Sequence, residues 1–172
     1  MSKASKTYIF CYDDHRSFSD EIRKRFSDAA QYAVFTFHNT DDFMNQLIAE
    51  KGHGLCKVAI IGVHESAEDI LSANRLMEEI LKVDNSAGLI LLCSPDKLEQ
   101  VRKGVSLNED SVIPLNSNMT LRTHNIVKKL ISEHNLSIYR RRRNLSLYVI
   151  IAFVIIACLI AVFSYFHFPE YF

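Results

Sequence analysis

The sequence predicts an α/β fold, a doubly wound parallel sheet with helices on both faces, followed by one transmembrane helix. Three observations predict it. Between residues 7 and 131, five short β-rich runs alternate with five stretches of helical periodicity, the pattern of successive strand–helix units. Two of the strand-like runs, 58–63 and 89–93, are apolar at every position, as suits central strands buried on both faces. From residue 145 to residue 168 there is no Asp, Glu, Lys or Arg, and a helix needs only about 20 apolar residues to cross a hydrocarbon core of ~30 Å.

The units follow in order. Residues 8–12, Tyr-Ile-Phe-Cys-Tyr, read as a first strand, and Phe18, Ile22, Phe26 and Ala29 or Ala30 recur at helical spacing after it. Residues 32–37, Tyr-Ala-Val-Phe-Thr-Phe, form a second strand. A helix starts at Thr40 and places Phe43, Met44, Leu47 and Ile48 on one face. The third strand is 58–63, and Ile70, Ala73, Leu76, Met77, Ile80 and Leu81 mark the inner face of the third helix. The fourth strand, 89–93, ends at Ser94-Pro95, an N-cap followed by an N1 proline. Leu98 and Val101 face inward from the helix that follows, and Gly104 ends it. Residues 111–115 form a fifth strand, whose Pro114 marks a sheet edge. The fifth helix carries Leu121, Val127, Leu130 and Ile131.

The C-terminal run is apolar on every helical face, unlike a core helix, which keeps a polar side. It stands at the wrong end for a signal peptide, and no prenylation box closes the chain. The formal net charge of the 172 residues is zero, but four of the twenty cations are the consecutive Arg140, Arg141, Arg142 and Arg143. By the positive-inside rule they hold the N-terminal domain in the cytoplasm, with Tyr148 and Tyr165 near the two interfaces. The expected organisation is an N-terminal tail at 1–6, a domain at 7–134, a basic juxtamembrane segment at 135–144, a span at 145–168 and an outer tail at 169–172. The residues ahead of the arginines carry a net negative charge, which argues against duplex nucleic acid as a partner. Cys11, Cys56, Cys93 and Cys158 show no metal spacing; Cys158 falls in the span, and a cytoplasmic domain keeps the other three reduced.

Ligands of open α/β sheets bind beyond the carboxyl ends of the strands. Here those ends carry Asp13 and Asp14, then Gly62, Val63 and His64, then Cys93 and Ser94, then Leu115 and Asn116. With these residues and the five-unit spacing, residues 7–131 resemble the receiver domain of two-component response regulators. The motifs are Ile9-Phe-Cys-Tyr-Asp13-Asp14, Val58-Ala-Ile-Ile-Gly62-Val-His64 and Leu89-Ile-Leu-Leu-Cys-Ser94. The resemblance implies a flavodoxin-like sheet of strand order 2-1-3-4-5. It aligns Asp13 and Asp14 with the family's Mg²⁺-holding carboxylates, Gly62 with the phosphate-accepting aspartate and Ser94 with the hydroxyl that senses the phosphoryl group. Leu115 falls near the family's lysine. Glycine offers no nucleophile, so the resemblance implies a degenerate receiver, or pseudo-receiver.

Asp13 and Asp14 have three readings: caps of the first helix, a residual Mg²⁺ site short of one carboxylate, or a polar surface remnant. No resident cofactor is expected otherwise. Cys93 and His64 end neighbouring strands, where a buried structural cysteine is the simpler reading than a Cys–His nucleophile. The expected function is non-catalytic: an adaptor or structural subunit of a membrane assembly for secretion, motility, envelope or signalling. The alternatives are a small-ligand sensor and an atypical response regulator. The expected partners are other proteins of the complex, the lipid bilayer of a bacterial inner membrane, and a second copy of the chain. Arg23, Lys97 and Arg102 are the candidates for a partner-facing surface.

Overall fold

The computed structural model describes residues 6–14, 16, 18–50, 55–63, 67–105 and 107–167; for 67, 68, 141, 142, 145 and 160–167 it describes the backbone alone. The chain divides into two compact units, Met1–His134 and Asn135–Phe172.

The first unit alternates strand and helix. Its elements are β1 (Thr7–Tyr12), α1 (Ser19–Arg25), β2 (Tyr32–Phe37), α2 (Thr40–Ala49), β3 (Cys56–Val63), α3 (Ala67–Val83), β4 (Gly88–Cys93), α4 (Leu98–Gly104), β5 (Val112–Pro114) and the start of α5 (Met119–His167). The five strands form one parallel sheet of order β2-β1-β3-β4-β5. Pro114 ends the three-residue β5 at the sheet edge, where its missing N–H costs no ladder bond.

Side chains alternate across a strand, and both faces are buried. One layer holds Phe10, Ala59, Ile61, Val63, Leu89 and Leu91 against Phe43, Leu47, Ile80 and Val101 of α2, α3 and α4. The other holds Ile9, Cys11, Val58, Ile60, Ile90 and Leu92 against Ile22 of α1 and Val127 of α5. Phe10 stacks on Phe35 with centroids 5.3 Å apart, and Phe43 meets Phe37 edge-on at 5.7 Å, contacts worth about 0.5–1.5 kcal/mol each beyond area burial. Three expected inward positions face solvent instead: Ile48 is 50%, Leu81 40% and Leu121 53% exposed. Ala29 and Ala30 lie beyond the end of α1 and are also exposed.

β3 begins two residues earlier than its apolar run, because it includes a buried lysine. Lys57 Nζ lies 2.8 Å from Asp84 Oδ2, with the lysine side chain 1% exposed. Asp84 Oδ1 accepts hydrogen bonds from the Ser86 backbone N–H at 3.0 Å and hydroxyl at 2.7 Å. The aspartate that closes the turn after α3 thus neutralises a cation inside the sheet.

In the second unit, every described side chain from 146 to 159 is exposed. They include Leu147, Tyr148, Ile150, Phe153, Ile156 and Leu159, each more than half exposed. The transmembrane helix expected over 145–168 is not found: among the described residues no helix is long and apolar enough to cross a membrane. Part of that stretch, the side chains of Leu145 and 160–167 and all of Phe168, lies outside them, as does the tail at 169–172.

Candidate functional site

The candidate residues stand at or beyond the carboxyl ends of β1, β3, β4 and β5, and the cavity beside Gly62 is lined from β1, α2, β3 and α3, without Ser94 or Leu115. Beyond β1 the chain folds around Asp13, which is fully buried. Its N–H donates to the Phe37 carbonyl at 3.0 Å, which ties it to the end of β2. Its own carbonyl accepts from Arg16 N–H at 3.3 Å and from His38 Nδ1–H. Arg16 turns the loop with φ of 54°, a left-handed conformation rarely taken by residues with a side chain. The Asp13 carboxylate then accepts the backbone N–H groups of Phe18 and Ser19, each at 2.9 Å. These are donors at the start of α1 that lack intrahelical partners. Phe18 stands at the N-cap position with no cap bond of its own, so Asp13 does that work from five residues upstream.

Of the three readings of the acidic pair, capping accounts for Asp13. Asp14 is exposed and faces elsewhere. It lines a cavity of about 190 Å³ with Tyr12, Gly62, Thr40, Asp69 and Ser72. Partial burial, then the charges of Asp14 and Asp69, push the Tyr12 hydroxyl above its ordinary range. The residues present do not suit a Mg²⁺ ion. One carboxylate is committed to backbone donors, Gly62 supplies no oxygen from a side chain, and among the described residues no three of His, Cys, Asp or Glu are grouped to hold a metal.

Gly62 has a packing role that the sequence did not disclose. A Cβ placed on it would lie 2.6 Å from Cε1 and 2.9 Å from Cζ of Phe18, and 3.5 Å from the Tyr12 carbonyl oxygen. The Phe18 ring is 1% exposed. It therefore lies against the glycine, where the family has its phosphate-accepting side chain. Helical spacing correctly put Phe18 on the inner face of α1, but no local pattern links it to a glycine 44 positions on.

Ser94 is half-buried at the head of a short 3-10 turn, Pro95–Lys97, and makes no cap bond with its hydroxyl. Its carbonyl accepts from Lys97 N–H at 3.1 Å. Leu115 donates its N–H to the Cys93 carbonyl at 2.7 Å and packs into the α1–α5 layer. Cys93 is fully buried, and burial pushes its thiol up against a smaller opposing effect of Arg102. Burial likewise drives the Cys11 thiol up, and that of Cys56 up to about 11. Such thiols stay protonated and unreactive near neutrality. His64 lies outside the described residues.

The three surface candidates do not form one patch. Arg23 is exposed on α1 and donates to Thr36 Oγ1 of β2. Lys97 and Arg102 are half-buried beside and within α4, on the opposite face of the sheet. Arg102 Nη1 lies 3.6 Å from Glu99. It also borders a groove of about 410 Å³ between α4, β5 and α5, with Asp110, Arg122, Ile126 and Lys129.

Solved structures with this fold include the response regulator TrrA from Thermotoga maritima in complex with Mg²⁺–BeF. It is 14% identical with a TM-score of 0.51, over 72% of this chain and 98% of that one. The chain has the receiver fold. A two-component response regulator, RcsB in complex with DNA, shares this receiver fold at 17% identity and a TM-score of 0.52, over 76% of this chain and 67% of that one. An adenylate cyclase from Rhodopirellula baltica superimposes at 14% identity and a TM-score of 0.54, over 80% and 96% of the two chains. No family model matches the sequence, and no curated protein does. At these identities the likeness is one of fold.

The role of Asp13 can be tested directly. Asp13→Ala removes the acceptor of two buried N–H groups and should cost about 3 kcal/mol, whereas Asp13→Asn keeps an acceptor and should cost less. The urea midpoints of the two variants check this ordering. Equal midpoints for Asp13→Ala and the unaltered chain would remove the capping role.

Proposed function

We propose that this chain is a non-catalytic pseudo-receiver, anchored in a bacterial inner membrane with its N-terminal unit in the cytoplasm. It serves there as an adaptor or structural subunit of a membrane-associated assembly. The observation that carries the reading is the packing of Phe18 on Gly62. A receiver switches because a phosphoryl group binds its two states unequally; without that ligand no differential free energy is available to shift the population. Here the acceptor carboxylate is replaced by a glycine in contact with a buried ring, and Asp13 is engaged in capping. A domain of this kind offers partners a fixed surface. The anchor is supported by the uncharged stretch from 145 to 168 and by the exposed apolar side chains along 147–159, which require a covering that water does not provide.

Two measurements test the reading. Incubation with acetyl phosphate and Mg²⁺ should leave the mass of the intact protein unchanged; an aspartyl phosphate at the strand ends would instead make it an atypical response regulator. A cysteine at position 3 should resist a membrane-impermeant thiol reagent in intact cells, while one at position 170 reacts. The reverse labelling would overturn the orientation.

A second reading has one observation in its favour, the cavity beside Gly62 lined by Tyr12, Asp14, Asp69 and Ser72. It would make the unit a small-ligand sensor. A melting temperature raised by a small ligand, and no longer raised in Asp14→Asn, would put that reading first.

A further inference from the structure

Arg140, Arg141, Arg142 and Arg143 hold four consecutive positions of α5. Consecutive helical positions step by about 100° with a rise of about 1.5 Å, so four of them go most of the way around the helix within a band of roughly 5 Å. A partner protein docked on one side would meet only part of such a band. No acidic residue occurs between Glu133 and Glu170, so none of the four has a carboxylate three or four positions away to pair with. Arg140 and Arg143 are exposed. Tyr139 and Tyr148 flank the band, 62% and 69% exposed, and from 149 to 159 every position is apolar and exposed. The order along the helix axis is therefore aromatic ring, cationic band, aromatic ring, apolar surface.

We propose that these four arginines form a collar that gathers anionic phospholipid head groups around the helix, a recognition of phosphodiester anions that goes beyond setting orientation. This rests on the membrane anchoring proposed above. Only a leaflet surrounds a helix on all sides at one depth, and a planar guanidinium donates two parallel hydrogen bonds to the oxygens of a phosphate. Basic residues next to a bilayer attract anionic lipids additively and lose that attraction as salt rises.

The test uses the full chain reconstituted into vesicles of phosphatidylcholine, alone or mixed with phosphatidylglycerol. Resistance to alkaline extraction from the neutral vesicles reports the anchor. Contact with spin-labelled phosphatidylglycerol relative to spin-labelled phosphatidylcholine reports the collar. The expected result is retention in both vesicles and a preference for phosphatidylglycerol that weakens with salt. Replacing all four arginines with glutamine should reduce that preference at least tenfold, given roughly fivefold per charge; replacing them with lysine should keep part of it. Free glycerol phosphate should compete poorly, since the recognised group is one displayed by a leaflet. Release from neutral vesicles would overturn the anchor and the collar with it. Retention with equal contact to the two lipids would overturn the collar alone. If the glutamine variant keeps its lipid preference but loses a protein recovered by crosslinking in native membranes, the band reads a protein and not a lipid.

Discussion

Gly62→Asp is expected to unfold more readily than the unaltered chain and to take up no phosphoryl group from acetyl phosphate. The first added atom already comes within 2.6 Å of the Phe18 ring, closer than carbon atoms approach one another. The ring is enclosed by the α1–α5 layer, so moving it aside disturbs the packing of that layer. Overpacking of this kind costs roughly 1–3 kcal/mol, and a carboxylate forced against an aromatic edge adds a desolvation penalty. Gly62→Ala isolates the steric part. Combining it with Phe18→Leu should recover some of the loss, because the two residues share one space and their effects cannot add independently. Urea midpoints of the two singles and the double provide the cycle. A Gly62→Ala chain as stable as the original would mean that the contact gives way easily and the plug is loose.

Asp84→Asn is expected to cost roughly 2–3 kcal/mol, below the ~3–5 kcal/mol for one partner of a fully buried ion pair, because the Asp84 side chain is 16% exposed. The substitution preserves shape and still accepts hydrogen bonds, but it leaves the Lys57 ammonium, 1% exposed, with no counter-charge. Lys57→Met should cost much less, since it removes the buried charge instead of orphaning it. The same pair makes the fold acid-sensitive. Partial burial alone would raise the Asp84 carboxyl, but the hydrogen bonds from Lys57 and Ser86 and the lysine charge outweigh it and hold the group below its ordinary value of 3.8. A carboxylate depressed in the folded state contributes stability above its unfolded pKa, and that contribution is lost as pH falls through the folded value. Stability measured from pH 6 downward should therefore fall below about pH 4, and the fall should be shallower in Asp84→Asn. Parallel acid profiles for the two chains would remove this ion pair from the account.

The contrast between these two sites explains what could be read in the sequence. Strand positions and helix faces follow from local periodicity, so Phe43, Leu47, Ile70, Leu76 and Val101 were assigned inward and are buried. Pro114 marked an edge strand for a reason confined to its own backbone. The apolar run 58–63 does not include Lys57, which the sheet buries only because it is paired, and its partner lies 27 residues away. Ser94-Pro95 looked like the start of a regular helix, but a 3-10 turn comes first and α4 begins at Leu98. At the site, the chemistry missing from Gly62 was legible in one letter. What fills the space beside it was not, because the contact with Phe18 joins two elements that only the folded sheet brings together. The split roles of Asp13 and Asp14 were equally hidden: adjacent letters on a turning loop point to different surroundings.

The arrangement of Asp13, Phe18 and Gly62 also acts as a ratchet on mutational paths. An aspartate at 62 is disfavoured while Phe18 keeps its place. Shrinking Phe18 first opens a void in a closed layer, at about 3–5 kcal/mol for full truncation. Freeing Asp13 for a metal first strips two buried N–H groups of their acceptor. Each single step toward a phosphate-accepting pocket is thus downhill in stability before it gains any chemistry. A route to such a pocket needs coordinated changes in three places, which makes the present packing easy to keep and hard to leave.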